Sequence, residues 1–216
     1  MSIKRLFVSS FLFAGLIKLM TMGSGCATIV PPEGGPRDTL PPVITEARPL
    51  DSNVNFTGNR ITFTFDEFVR LDNIMQNLLV SPIPRVQPTV TSRLNTVTIR
   101  LRDSLEANTT YSLNFGNSIV DVNENNPLSN YTYVFSTGPA LDSLRFSGKV
   151  LLAETGEIDS TLIVMLHRSP DDSAVINERP RYMAKLNGTG NFTFRNLPPG
   201  TFYVYALRMK REVFDT

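Results

Sequence analysis

The chain has one cysteine, one histidine and no tryptophan in 216 residues, and its 21 Lys and Arg nearly balance its 20 Asp and Glu. Each scarcity excludes something. A single cysteine forbids an intrachain disulfide, so packing alone must hold the fold together. It also leaves zinc sites built from His and Cys without ligands. Serine and cysteine nucleophiles that work through a histidine could draw only on His167. That residue closes an apolar alternation with Ile163 and Met165, which is expected to give it a structural or surface role. Net charge is +1, and the basic residues are spread along the sequence without a polybasic strip, so nucleic acid is not expected as a partner. Without Trp there is no obvious aromatic platform for stacking sugars. No cofactor or metal is expected.

No apolar run is long enough to cross a bilayer, which takes about 20 residues. The longest, Leu6 to Ile17, follows Lys4 and Arg5, is interrupted by Lys18 and precedes the small residues Gly23, Ser24 and Gly25. That is the layout of a secretory signal over residues 1–25. The tetrapeptide Gly23-Ser24-Gly25-Cys26 resembles the lipobox of bacterial lipoproteins at its last three positions and departs from it at Gly23, where Leu is usual. The resemblance implies lipidation of Cys26, with palmitate among its acyl groups, and a membrane anchor. The alternative is an ordinary signal peptide followed by a free thiol, a liability in an oxidising compartment.

Residues 26–42 carry paired prolines, Pro31-Pro32 and Pro41-Pro42, and paired glycines, Gly34-Gly35, without apolar periodicity. Such a segment reads as a tether able to hold a domain up to roughly 50 Å from its anchor. Strand signals follow. Ile61, Phe63 and Phe65 alternate with threonines; Val97, Ile99 and Leu101, then Tyr111, Leu113 and Phe115, then Tyr131, Tyr133 and Phe135 repeat the period of two. Weaker candidates lie at Val43–Ala47, Leu79–Ser81 and Gln87–Ser92, and turn residues fall at Asp103-Ser104, Asn108, Gly116-Asn117 and Asn123–Pro127. Leu71, Ile74, Met75 and Leu78 have helical spacing and predict a short turn packed on the core.

A domain boundary is expected near residue 140, after Ser136-Thr137-Gly138-Pro139. Beyond it, Leu144–Leu152, Leu162–His167, Arg181–Leu186, Asn191–Phe194 and Thr201–Leu207 read as strands. In the last, apolar residues occupy both faces, which predicts a strand covered on both sides. With 15 Pro, 13 Gly and almost no helical periodicity, the chain is expected to be all-β, as two tandem β-sandwiches over residues 43–140 and 141–216.

The run from Cys26 to Val43, together with Ile61-Thr-Phe-Thr-Phe-Asp-Glu67, Leu78-Leu-Val-Ser-Pro82, Asn114-Phe-Gly-Asn-Ser-Ile-Val-Asp121 and Tyr131-Thr-Tyr-Val-Phe-Ser-Thr-Gly138, resembles Bacteroidota lipoproteins with an SbsA-type bacterial Ig-like domain. Residues 144–216, through the motif Gly190 to Ala206, are similar to the carboxypeptidase-regulatory or prealbumin-like β-sandwich that often follows. Such domains run on to at least one further strand. A shortened reading frame or a sheet edge awaiting a partner is therefore expected.

The remaining motifs carry little chemistry. Asp66 and Glu67 are adjacent carboxylates, and neighbours on a strand point to opposite faces, so they read as a strand-terminal turn rather than a glycosidase pair. Asp121, Asn123 and Asn125 copy the first ligands of a calcium loop, but Asn126 stands where Gly is needed and Thr132 where Glu is needed. A hairpin connection is the expectation. Five triplets, at Asp38-Thr39-Leu40, Asp103-Ser104-Leu105, Asp142-Ser143-Leu144, Asp159-Ser160-Thr161 and Asp172-Ser173-Ala174, resemble the O-glycosylation acceptor of Bacteroidota. The resemblance would place sugars on Thr39, Ser104, Ser143, Ser160 and Ser173. Ordinary Asp-Ser turn chemistry gives the same dipeptides, and the two readings stand side by side.

These observations lead to the expectation of a binding or scaffolding protein of the cell envelope, without catalytic activity of its own. It would be anchored by lipid at the outer membrane, and the neutral Ala27-Thr28-Ile29-Val30 after the cysteine favours the periplasmic face. An envelope protein is the expected partner. The alternative is a carbohydrate-binding accessory of a glycan-handling complex.

Overall fold

A computed structural model describes residues 35–208. Residues 38–208 form one compact unit that holds two hydrophobic cores.

The first core is built by nine strands: β1 (Ile44–Arg48), β2 (Arg60–Phe65), β3 (Val69–Leu71), β4 (Leu79–Ser81), β5 (Thr89–Arg93), β6 (Thr96–Arg100), β7 (Thr110–Asn114), β8 (Ile119–Asp121) and β9 (Thr132–Ser136). They pair antiparallel as β1-β2-β6-β5 and β4-β7-β9, with β3-β8 as a short ribbon. The alternation explains the layers. Ile61, Phe63 and Phe65 of β2 and Val97 and Ile99 of β6 turn inward from one sheet, and Leu113, Tyr133 and Phe135 meet them from the other. Phe63 sits at the centre, with ring centroids 5.7 Å from Phe115, 5.6 Å from Tyr131 and 5.3 Å from Tyr133. Burying an aromatic of this size contributes about 1.5–3 kcal/mol, and offset or edge-on ring pairs add to that.

The helical spacing at residues 71–78 yields a single turn, α1 (Ile74–Asn77). The expected core face holds for three of the four positions. Leu71, Ile74 and Leu78 pack against the core, Leu71 from β3 rather than from the helix, and Met75 is 78% exposed. A single turn of helix buries one side only, and Met75 falls on the other.

The second core lies between two further sheets. β10 (Leu144–Lys149) pairs with β13 (Asn191–Leu197), and β12 (Tyr182–Lys185), β11 (Leu162–His167) and β14 (Tyr203–Arg208) form the other in the order β12-β11-β14. A turn of helix, α2 (Ala174–Asn177), connects β11 to β12. Val164, Leu166, Tyr182, Phe192, Phe194 and Leu197 fill the interior. Two glycines are demanded by this packing. Gly148 lies against the ring of Phe192, where a Cβ would approach to 2.7 Å; Gly190 has φ +78° and would press a Cβ onto the Val150 carbonyl at 2.8 Å.

β14 departs from expectation. Among the described residues it pairs with β11 alone, and apart from the half-buried Tyr205 its residues are exposed rather than covered on both faces, Val204 to 46%. Apolar residues on both sides of a strand signal double cover only where other layers pack on both faces of the sheet, and β14 lacks that cover among the described residues. Leu144, Phe146, Leu166, Leu197 and Phe202 line a groove of about 260 Å³ beside it.

Candidate functional site

Three loops and one strand end converge on a cleft of about 580 Å³ between the two cores. Residues 82–88 link β4 to β5, residues 101–106 belong to the loop from β6 to β7, and residues 178–181 enter β12. His167 and Arg168 close it from the end of β11. The floor is apolar, made by Val80, Tyr111, Leu113 and Phe135 of the first core. Pro82, Pro84, Pro88 and Pro180 stiffen the rim by fixing φ where the loops turn.

Main-chain bonds stitch the loops together. The Ile83 N–H donates to the Arg181 carbonyl at 3.0 Å, and the Arg181 N–H to the Leu166 carbonyl at 2.8 Å. Arg179 Nη1 donates to the Arg85 carbonyl at 2.7 Å. Asp103 accepts the N–H groups of Arg85 at 2.6 Å and Ser104 at 3.0 Å, which uses both of its oxygens. Arg181 grips Glu106 through two parallel bonds, Nη1 to Oε1 and Nη2 to Oε2, the second 2.5 Å long. Those bonds hold the Glu106 carboxyl below its usual range and raise Arg181 further above neutrality. The Glu106 N–H donates to the Tyr111 hydroxyl at 2.9 Å, and burial pushes that phenol up.

Five arginines line this one cleft: Arg85, Arg102, Arg168, Arg179 and Arg181. Of the acidic groups there, Asp103 is occupied by backbone donors and Glu106 by Arg181, leaving Glu178. Arg85, Arg102 and Arg168 make no hydrogen bond or ion pair through their guanidinium groups among the described residues. His167, 1% exposed, is a wall residue rather than a surface one, its ring edge-on to Tyr205 at 5.7 Å. Burial lowers its pKa, opposed by Glu178. His167 Nε2 is buried without a hydrogen-bond partner among the described residues, whereas the buried Tyr182 hydroxyl lies against the Arg181 guanidinium.

The sequence-predicted positions lie mostly elsewhere. Cys26 falls outside the described residues. Thr39, Ser104, Ser143, Ser160 and Ser173 are all exposed and all outside strands and helices, and of them only Ser104 lines the cleft. Asp66 ends β2, its carboxylate accepting the Val43 N–H at 2.8 Å, while partial burial and then the charges of Asp121 and Asp66 raise the Glu67 carboxyl. Asp121 is fully buried and accepts from the N–H groups of Glu124 at 2.6 Å, Asn125 at 2.9 Å and Asn126 at 2.7 Å. Burial would raise its pKa, but these bonds, with one from Asn123, prevail and lower it. The calcium-like spacing is thus a loop folded around its own carboxylate, whose oxygens point to backbone donors. Asn125 turns its side-chain oxygen to Arg70 at 2.6 Å.

The arginines escaped sequence reading because they are dispersed over residues 85–181. The legible trace was their company: Pro84-Arg85 and Arg179-Pro180-Arg181 place arginine in stiff loops, where a side chain can be aimed.

Two facing antiparallel sheets around an aromatic core define residues 44–136 as an Ig-like β-sandwich. Residues 38–137 match the family model described as bacterial Ig-like domain. No curated protein matches the chain. Among solved structures, an L,D-transpeptidase from Mycobacterium smegmatis is similar at a TM-score of 0.31 and 10% identity, over 68% of this chain and 74% of that one. A likeness this slight carries no argument about chemistry.

Proposed function

We propose that this chain is a lipid-anchored binding or scaffolding protein of the cell envelope, with no catalytic activity of its own. The observation that carries the reading is the bacterial Ig-like domain at residues 38–137, whose loops open onto a cleft shared with a second set of strands. Ig-like sandwiches present rigid loops and edges to partners, and function resides in the site they carry rather than in the fold. The second set, residues 144–208, acts as a prealbumin-like sandwich, supported by its two-sheet packing around Tyr182, Phe192 and Phe194.

Cys26 is the anchor in this reading, at the periplasmic face of the outer membrane, and residues 26–42 are the tether. The exposure of Thr39, Ser104, Ser143, Ser160 and Ser173 supports their role as glycan acceptors, since a transferase can reach each hydroxyl. A role in binding glycans has less support, because Tyr111, Tyr133 and Phe135 are buried in the core instead of forming an exposed platform.

Cys26→Ser tests the anchor: the variant leaves the detergent phase on phase partitioning, whereas an unchanged partition overturns it. Protease treatment of intact cells leaves the protein whole if it faces the periplasm. Turnover of any member of an ester or glycoside panel by the purified full chain, retained with no contaminant present, would refute the non-catalytic reading. A ladder of intact masses above the lipidated chain is the expected result for glycosylation, collapsing when the five hydroxyls are replaced by Ala.

A further inference from the structure

The cleft has a property that scaffolding does not require: more positive groups face it than negative ones can neutralise. Arg181 and Glu106 cancel each other, and Asp103 is committed to the backbone. That leaves Arg85, Arg102 and Arg168, without guanidinium partners, against Glu178. Arg179 spends one nitrogen on the Arg85 carbonyl. Two further facts point to a ligand. His167 Nε2, on the wall of the same cleft, is a buried polar atom without a hydrogen-bond partner among the described residues, and buried polar groups in native folds are almost always paired. The volume of about 580 Å³, over an apolar floor and inside a proline-stiffened rim, is that of a small-molecule site.

We infer that this cleft binds a small multivalent oxyanion, held by Arg85, Arg102 and Arg168. Guanidinium groups suit carboxylate and phosphate alike, because each offers paired N–H donors to paired oxygens. The inference deepens the binding reading above and rests on it, but its test requires no membrane, so a failed anchor and an empty cleft give different results.

The test is isothermal titration of the detergent-purified full chain, at low salt, with pyrophosphate, with citrate and with the uncharged sugar maltose. Saturable 1:1 binding of pyrophosphate or citrate is expected, and which of them binds more tightly separates phosphate from carboxylate ligands. The double variant Arg102→Gln/Arg168→Gln should weaken it by about tenfold or more, the loss expected for charge-assisted hydrogen bonds. Both side chains are exposed, so its melting curve should match the parent's. Arg93→Gln removes charge at the far end of hairpin β5–β6 and should leave affinity unchanged. Failure of both anions to bind, equal binding of maltose, or an equal loss in Arg93→Gln overturns the inference.

Discussion

Arg181, at the entrance to β12, holds Glu106, in the loop before β7, through a bidentate ion pair that ties the second core to the first. Arg181 is mostly buried, with 19% of its side chain exposed, whereas Glu106 is half exposed. The pair is therefore a positioning device more than a large source of stability. A double-mutant cycle with Glu106→Gln and Arg181→Gln should give a coupling of about 0.5–1 kcal/mol, as for a partly solvated pair. The Glu106 pKa is lowered in the fold, so the coupling is complete above the unfolded value of about 4.3 and fades as pH falls below it. Chemical denaturation of the four proteins at pH 7 and pH 3 measures both quantities.

Asp121 should be more costly to alter. Its buried carboxylate collects three or more N–H groups; Asp121→Asn removes the charge from all of them and sets an amide NH2 against at least one. The expected loss is about 1.5–3 kcal/mol, read as a lower urea midpoint. Calcium should not raise the melting temperature of the parent chain.

Asp159 adds to the acid sensitivity. A hydrogen bond from Thr161 and then the Arg208 guanidinium hold its pKa at about 2. Because this lies under the unfolded value of about 3.9, its contribution is present above about pH 4 and is lost as pH falls toward 2. Asp159→Asn should flatten the pH dependence of stability in that window and leave it unchanged above pH 5.

Phe135 tests the first core. It stacks on Tyr111 at 5.3 Å and contacts Phe56 at 4.5 Å, with no exposed surface. Phe135→Ala should cost about 3–5 kcal/mol in equilibrium unfolding.

Leu94 offers the opposite sign. The β5–β6 hairpin turns through Leu94 and Asn95, with Leu94 at φ +55° and 63% exposed. A left-handed conformation costs a leucine roughly 1–2 kcal/mol and glycine nothing of the kind. Leu94→Gly should raise stability by up to about 1 kcal/mol after the greater entropy of the unfolded glycine is counted. The turn itself should survive, since the Asn95 and Leu94 carbonyls accept from Phe65 and Val69 at 2.8 and 3.0 Å. A loss of stability would show that Leu94 packs more than its exposure suggests.

Leu94 also shows where sequence reading stopped. The strands on either side of it were legible because a period of two writes burial directly into the sequence, as Ile61, Phe63 and Phe65 do. A leucine in a two-residue turn carries no such mark. The short ribbon β3–β8 was hidden for a related reason: three residues are too few to display a period. The exposed faces of β14 carry no mark in the sequence, because alternation reports side-chain direction while cover depends on which layers pack above and below the strand.

The all-β class, the inward aromatic stripes and the turn positions follow from local pattern, which depends on neighbours two residues apart and needs no knowledge of the rest of the chain. The cleft does not. Arg85, Arg102, Arg168 and Arg181 lie on loops of both cores, and their convergence depends on long-range strand pairing and on the Ile83 to Arg181 and Arg181 to Glu106 contacts. Charge summed along the sequence is nearly zero, but electrostatic potential adds up in space, and there the arginines stand together.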